Sequence, residues 1–171
     1  IRIKNKNQVL EKKAYVDLQT GLPNKSKCEE MLNNYEYITE PMGFVMFDLN
    51  NLKRANDTYG HAVGDQLITN FARLLRNAIP AKDFVGRYGG DEFIAIITQT
   101  TKNEILKIMD EVHDEVRNFN ENIHKVEVSY AYGYAFSEDY ADCTIKTLFD
   151  KADKHMYENK AIEKAKFETI V

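Results

Sequence analysis

Arg87-Tyr88-Gly89-Gly90-Asp91-Glu92-Phe93 joins two apolar runs, Asp83 to Tyr88 and Phe93 to Ile97, through twin glycines and two adjacent acids. The pattern predicts a β-hairpin with charge at its tip. Glycines tolerate the positive φ of a tight two-residue turn, and without side chains they let a bulky ligand approach the backbone. Asp91 and Glu92 at such a tip fit either a hard cation or plain solvent. A second acidic site lies upstream, where Gly43-Phe44-Val45-Met46-Phe47-Asp48-Leu49-Asn50 reads as a buried strand ending on a carboxylate. Burying Asp48 is costly unless a metal or a basic side chain meets it, with Lys53 and Arg87 as candidates. Two strand-borne acidic sites in one small domain point to a divalent ion holding a phosphate, with the oxygen ligands that magnesium prefers.

At 171 residues, with 43% apolar and 29% charged residues, the chain has material for one globular domain and an extension. Its net charge of −4 argues against nucleic acid or an anionic membrane as partner, since either favours a broad basic surface. Cys28 and Cys143 form no CxxC pair, so packed, reduced thiols in a cytosolic setting are expected. No apolar run approaches the ~20 residues needed to span a bilayer. The chain begins on Ile1 rather than Met, as a piece of a longer protein would.

Residues 1 to about 14 are basic and polar, and read as a linker. Asp17 to Asn24, broken by Gly21 and Pro23, predicts a wide turn. Ser26 and Glu29 form a possible capping box for a helix carrying Cys28, Met31, Leu32, Tyr35 and Ile38 on one face and ended by Pro41. After the Asp48 strand and a connecting loop, Val63, Leu67, Ile68, Phe71, Leu74, Leu75 and Ala78 mark a second helix, closed by Pro80. Beyond the hairpin, Thr101 and Glu104 cap a third helix with Ile105, Ile108, Met109, Val112, Val116 and Phe119 inward. Val126 to Phe136 is strand-like. Ile145, Leu148, Phe149, Ala152 and Met156 mark a fourth helix, and Phe167 to Val171 a short last strand. The order contains β-α-β-β-α-β, hence an α+β fold with a mainly antiparallel sheet flanked by helices.

The stretches RYGGDEF (87–93), FDLNNLKRANDTYGHAVGD (47–65) and DLQTGLPN (17–24), with the helix from Ala152 and Asp153 through Lys160, resemble the signature blocks of the GGDEF family, the diguanylate cyclases. The resemblance covers about residues 17 to 171. It implies a GGDEF domain at 17–171 behind a linker or signalling-helix remnant at 1–16, with the ferredoxin-like, palm-type core of a nucleotide cyclase. It further implies condensation of two GTP into cyclic di-GMP with loss of pyrophosphate, two Mg²⁺ or Mn²⁺ ions per site, and turnover only as a dimer of domains. The expected setting is the cytoplasm, at the C-terminal end of a longer sensor protein.

Carried over residue by residue, Asp48, the Leu49 carbonyl, Asp91 and Glu92 match the family's metal positions, and Asp91 its catalytic proton acceptor. A carboxylate bound to a cation is a weak base, so the metal role comes first. Asn56, His61 and Asp65 match its substrate positions. Asp65 has a chemical logic of its own: a carboxylate only accepts, and guanine offers N1–H and N2–H₂ donors side by side, which adenine lacks. Gly89 and Gly90 give room for the nucleotide. Lys53, in the loop from Asn50, and Lys160 and Lys164, four apart on the last helix, supply positive charge for phosphates. The chain departs from the family at Leu18, where Pro is common, and at Glu163-Lys164-Ala165, where Gly-Arg-Asn is common. Pro80-Ala81-Lys82-Asp83 replaces the RxxD feedback motif, so product inhibition through that motif is expected to be absent. Two other readings remain: a silent domain that senses GTP or cyclic di-GMP, and a cyclase of another base preference, which Asp65 disfavours.

Overall fold

The computed structural model of the protein describes residues 14–122 and 126–169, those beyond 162 as backbone only. The apolar runs form strands β1 (Met42–Leu49), β2 (Phe84–Arg87), β3 (Glu92–Thr98) and β4 (Tyr130–Phe136). They build one sheet in the order β2-β3-β1-β4, and every neighbouring pair is antiparallel. The helices are α1 (Lys25–Leu32), α2 (Leu52–Tyr59), α3 (His61–Ala78), α4 (Lys102–Glu121) and α5 (Ile145–Thr169). The expected β-α-β-β-α-β order is therefore present in an α+β fold. Each helical crossover skips one sheet position, and an antiparallel strand fills the gap.

Alternation along β1 makes two cores. Val45, Phe47 and Leu49 join residues of α3 and α4, while Phe44 and Met46 join residues of α1 and α5. In the first core, Phe71 of α3 packs edge-on against Phe47 and Phe93, with ring centroids 6.1 and 5.3 Å apart. In the second, α5 lies directly on β4, whose inward residues there are Ala131, Gly133 and Ala135. A Cβ on Gly133 would stand 2.2 Å from both the Ala152 carbonyl oxygen and the Met156 nitrogen, so only glycine permits this approach. Helix α5 also answers backbone groups of β4, an edge strand among the described residues. The Tyr134 N–H donates to His155 Nδ1 at 3.1 Å, and Asn159 Nδ2 donates to the Tyr132 carbonyl at 2.9 Å.

Several expectations need correction. Helix α1 is capped by Asn24, whose side chain accepts from the Lys27 N–H, and it ends at Leu32, leaving Tyr35 exposed. The paired Asn33 and Asn34 stop it: Asn33 is the C-cap, and the Asn34 side chain accepts from the Glu36 N–H at 3.0 Å. The connecting loop after β1 is largely helix, α2, entered through left-handed Asn51 at φ 60° and left through Gly60 at φ 88°. The hairpin connection is Tyr88 to Asp91, and neither Gly89 nor Gly90 has positive φ, because four residues close it without a tight primed turn. The stretch expected as a last strand continues α5 to Thr169, while Ile170 and Val171 lie outside the described residues, as do 1–13 of the linker. The box between Thr101 and Glu104 forms reciprocally, as its sequence requires.

Gly133→Val should lower stability to urea by about 2 kcal/mol or more, the cost of overpacking against backbone that cannot yield. An unchanged unfolding midpoint would show that α5 can move off β4 freely.

Candidate active site

Residues 44, 46 and 48 of β1 share a face, as do 92, 94 and 96 of β3, and that is the face covered by α5. The register sets Asp48 directly opposite Glu92, and the Leu49 N–H donates to the Asp91 carbonyl at 2.8 Å. Lys160 of α5 brings its ammonium 2.8 Å from Asp48 Oδ2, with the two side chains 37% and 17% exposed. The basic partner of Asp48 is thus Lys160, rather than Lys53 or Arg87. Burial, and then the charges of Asp48, Asp91 and Asp153, push the Glu92 carboxyl above its usual range, while Lys160 opposes the shift. The acids outnumber the cation, leaving an excess of negative charge at the ends of β1 and β3.

Among the described residues no three His, Cys, Asp or Glu side chains form a ready-made metal cage. The donors at hand are carboxylates with their charge in excess, a set that fits a hard divalent ion bound partly by protein and partly by substrate phosphate.

Arg87, at the end of β2, holds the glycine loop. Its Nη2 and Nε donate to the Gly90 carbonyl at 2.8 and 3.3 Å, and its Nη1 meets both carboxylate oxygens of Asp17 at 3.2 and 3.1 Å. Asp17 Oδ2 also accepts from the Thr20 N–H and hydroxyl at 2.9 and 2.6 Å. Burial alone would raise the Asp17 pKa, but these hydrogen bonds and the guanidinium hold it below the usual carboxylate range. The wide turn is tied to the sheet as well, through the Arg87 N–H donating to the Pro23 carbonyl at 2.8 Å. Gly89 serves Glu92: a Cβ there would come 2.5 Å from Glu92 Oε2. A groove of about 390 Å³ opens between Gly89, Gly90 and the start of α1 at Asn24, Lys25 and Ser26.

The α2–α3 corner carries the remaining predicted contacts. Asn56 Oδ1 would lie 1.9 Å from a Cβ on Gly64, so the missing side chain lets Asn56 pack against the first turns of α3. His61 and Asp65, four residues apart, share one exposed face of α3, and Lys53 is exposed on the first turn of α2. Gln19 Nε2 donates to Asp65 Oδ1 at 2.9 Å, and the Gln19 oxygen accepts from Arg87 Nη1 at 2.7 Å. That bridge joins the α3 face to the glycine loop.

The family model described as "Diguanylate cyclase, GGDEF domain" matches residues 14–166. The chain belongs to the GGDEF family. Among curated relatives it is 33% identical over 147 residues to the probable diguanylate cyclase DgcI of Escherichia coli, covering 84% of this chain and 30% of that protein. An uncharacterized membrane protein of Staphylococcus saprophyticus is 29% identical over 167 residues, covering 91% of this chain and 46% of that one. The chain therefore spans less than half the length of these relatives. Among solved structures, the coiled coil and GGDEF domain of Caulobacter crescentus DgcB, crystallised with c-di-GMP, superposes with a TM-score of 0.82 at 21% identity, covering 94% of this chain and 87% of that one. No helix among the described residues is long and apolar enough to cross a membrane.

In this GGDEF domain the structure groups Asp48, Leu49, Asp91, Glu92 and Lys160 at the ends of β1 and β3, and Asn56, His61 and Asp65 at the α2–α3 corner. Lys164 lies on the α5 backbone, with its side chain outside the described residues. Asp83, the last residue of the segment that replaces RxxD, is buried, and its Oδ1 accepts from the Thr98 N–H and hydroxyl, each at 3.0 Å. It clamps the open end of the β2–β3 hairpin. The missing arginine has a neighbour in Arg76, which donates to the carbonyls of Ile79, Pro80 and Asp83. Sequence reasoning missed Gln19 as part of the site, and it offered Arg87 as a partner for Asp48 rather than for Asp17. An acid and an arginine bracketing two signature blocks were the available signal for the Asp17–Arg87 pair.

The depressed Asp17 pKa makes its contribution to stability full above the unfolded value of 3.8, and that contribution is lost as pH falls through the lower folded value. Asp17→Asn should therefore be about 1–2 kcal/mol less stable than the parent at pH 7. The gap should close as the pH falls through that lower folded value. Urea unfolding followed from pH 7 downward checks both, and a gap independent of pH would contradict the assignment.

Proposed function

We propose that this GGDEF domain is a diguanylate cyclase, joining two GTP molecules into cyclic di-GMP with release of two pyrophosphates. Each 3′-hydroxyl displaces pyrophosphate from the α-phosphorus of the other nucleotide, so two domains, each holding one GTP, must face each other. The observation that carries the reading is the pairing of Asp48 with Glu92 beside Asp91, an excess of carboxylate charge with a lysine at its edge. Asp48, Asp91, Glu92 and the Leu49 carbonyl would hold one or two Mg²⁺ or Mn²⁺ ions. Such ions neutralise phosphate charge and lower the pKa of a coordinated hydroxyl.

The chain's own groups bind and orient. The start of α2, with its backbone N–H groups and Lys53, offers a site for the terminal phosphates. Lys160 stands at the edge of the acid cluster, able to exchange Asp48 for a phosphate oxygen. Asn56 and Asp65 read guanine from the α2–α3 corner. Gly90, exposed and with no atom of the described residues within 4 Å of a would-be Cβ, leaves room beside the loop for the second nucleotide. Holding the reacting atoms face to face is the main service of pairing two domains.

The test is to incubate the domain, forced to dimerise, with GTP and Mg²⁺ or Mn²⁺ and to measure pyrophosphate and cyclic di-GMP. Asp91→Ala should abolish both products while leaving the unfolding midpoint unchanged. Retained turnover in that variant would remove Asp91 from the catalytic set, and GTP binding without product in the parent would make the domain a nucleotide sensor.

A further inference from the structure

We infer that Gln19 is the positioning residue that sets guanine selectivity, by fixing the Asp65 carboxylate and coupling it to the glycine loop. The inference rests on the cyclase reading and extends it to a residue in the wide turn, outside the blocks that carry the substrate positions.

A continuous chain of hydrogen bonds crosses the site. Asp65 Oδ1 accepts from Gln19 Nε2 at 2.9 Å, Gln19 Oε1 accepts from Arg87 Nη1 at 2.7 Å, and Arg87 Nη2 donates to the Gly90 carbonyl at 2.8 Å. Its direction is fixed by chemistry. A guanidinium only donates and a carboxylate only accepts, so the Gln19 amide has one orientation that satisfies both neighbours. The wide turn does not need this bridge to stay in place. Asp17 already holds Arg87 and Thr20, and the Asp17 N–H donates to the Leu22 carbonyl at 2.8 Å. What Gln19 adds is a hold on Asp65.

That hold matters because Asp65 sits on an exposed face of α3, where a short carboxylate would otherwise sample several rotamers. Guanine needs two acceptor positions side by side for N1–H and N2–H₂. Gln19 engages one oxygen from the side of the glycine loop and leaves Oδ2 and the remaining lone pair of Oδ1 for the base. Fixing the acceptor before binding reduces the ordering cost that the nucleotide must otherwise meet. Because the same amide is anchored on Arg87, base recognition and the placement of Gly90 become parts of one network.

Gln19→Glu separates this role from a structural one. It keeps the length and the acceptor for Arg87 but replaces the donor facing Asp65 with a second carboxylate. Calorimetric titration with α,β-methylene-GTP, and with the inosine and adenosine counterparts, reads the effect. Gln19→Glu should bind the GTP analogue about ten-fold more weakly and lose a similar factor of discrimination against the other bases. The urea midpoint should stay at the parent value. Gln19→Ala, which removes the donor without adding charge, should weaken binding in the same direction. Parent-level or tighter binding in either variant would overturn the inference, tighter binding showing that the amide competes with guanine for Asp65.

Asp65→Ala separates the two levels of the account. If it abolishes guanine preference while Gln19→Glu leaves that preference intact, only the role of Gln19 falls. If Asp65→Ala also leaves guanine preference intact, the base-reading assignment falls and the inference with it.

Discussion

The antiparallel register of β1 on β3, from Met42 opposite Thr98 to Asp48 opposite Glu92, is the constraint on which the site depends. Its last step sets two carboxylates face to face, an arrangement that works against the sheet because like charges opposite one another repel. The preceding step sets Phe47 opposite Phe93, both fully buried. Apolar burial over the length of the strand therefore imposes a pairing that its last residues would not choose. A one-residue slip would turn the Asp48 carboxylate toward the core under α3 and α4 and move Phe47 to the face covered by α5. The core and the charge cluster are specified together.

Helix α5 is the second condition. Glycine at 133 lets it lie against β4, and that approach carries Lys160 to Asp48 and Asp153 into the field of Glu92. One ammonium among several acids relieves part of their repulsion and leaves the rest as attraction for an incoming cation. The wide turn closes the arrangement from the other side, with Asp17 and Gln19 gripping the arginine that holds the glycine loop. A local electrostatic conflict held in place by surrounding packing is what a binding site for charged ligands requires.

Much of the fold was legible in the sequence because its signals are local. The continuous apolar runs of β1 and β3, the reciprocal Thr101–Glu104 cap and the inward faces of α3, α4 and α5 follow from residue pattern alone. The hairpin was legible too, but its backbone was not. The glycines serve clearance, at Gly89 for the Glu92 side chain, rather than left-handed turns. Helix α2 escaped because its eight residues are mostly polar and only Ala55 is buried, too little for a hydrophobic period to register. The site was legible as two acidic segments at strand ends, while their register was not, because β1 and β3 are buried on both faces and carry no alternation that would set it. Lys160 as the partner of Asp48, and Gln19 as a bridge, were not, because both contacts join segments far apart in the chain through side-chain geometry that no local pattern encodes.

Mn²⁺ binding followed by electron paramagnetic resonance, with and without a non-hydrolysable GTP analogue, tests most directly whether the paired acids form a nucleotide-dependent cation site. The account predicts Mn²⁺ uptake that strengthens with the analogue in the parent and is lost in Asp48→Asn at an unchanged unfolding midpoint. Equal uptake by Asp48→Asn, or uptake indifferent to the nucleotide, would contradict it.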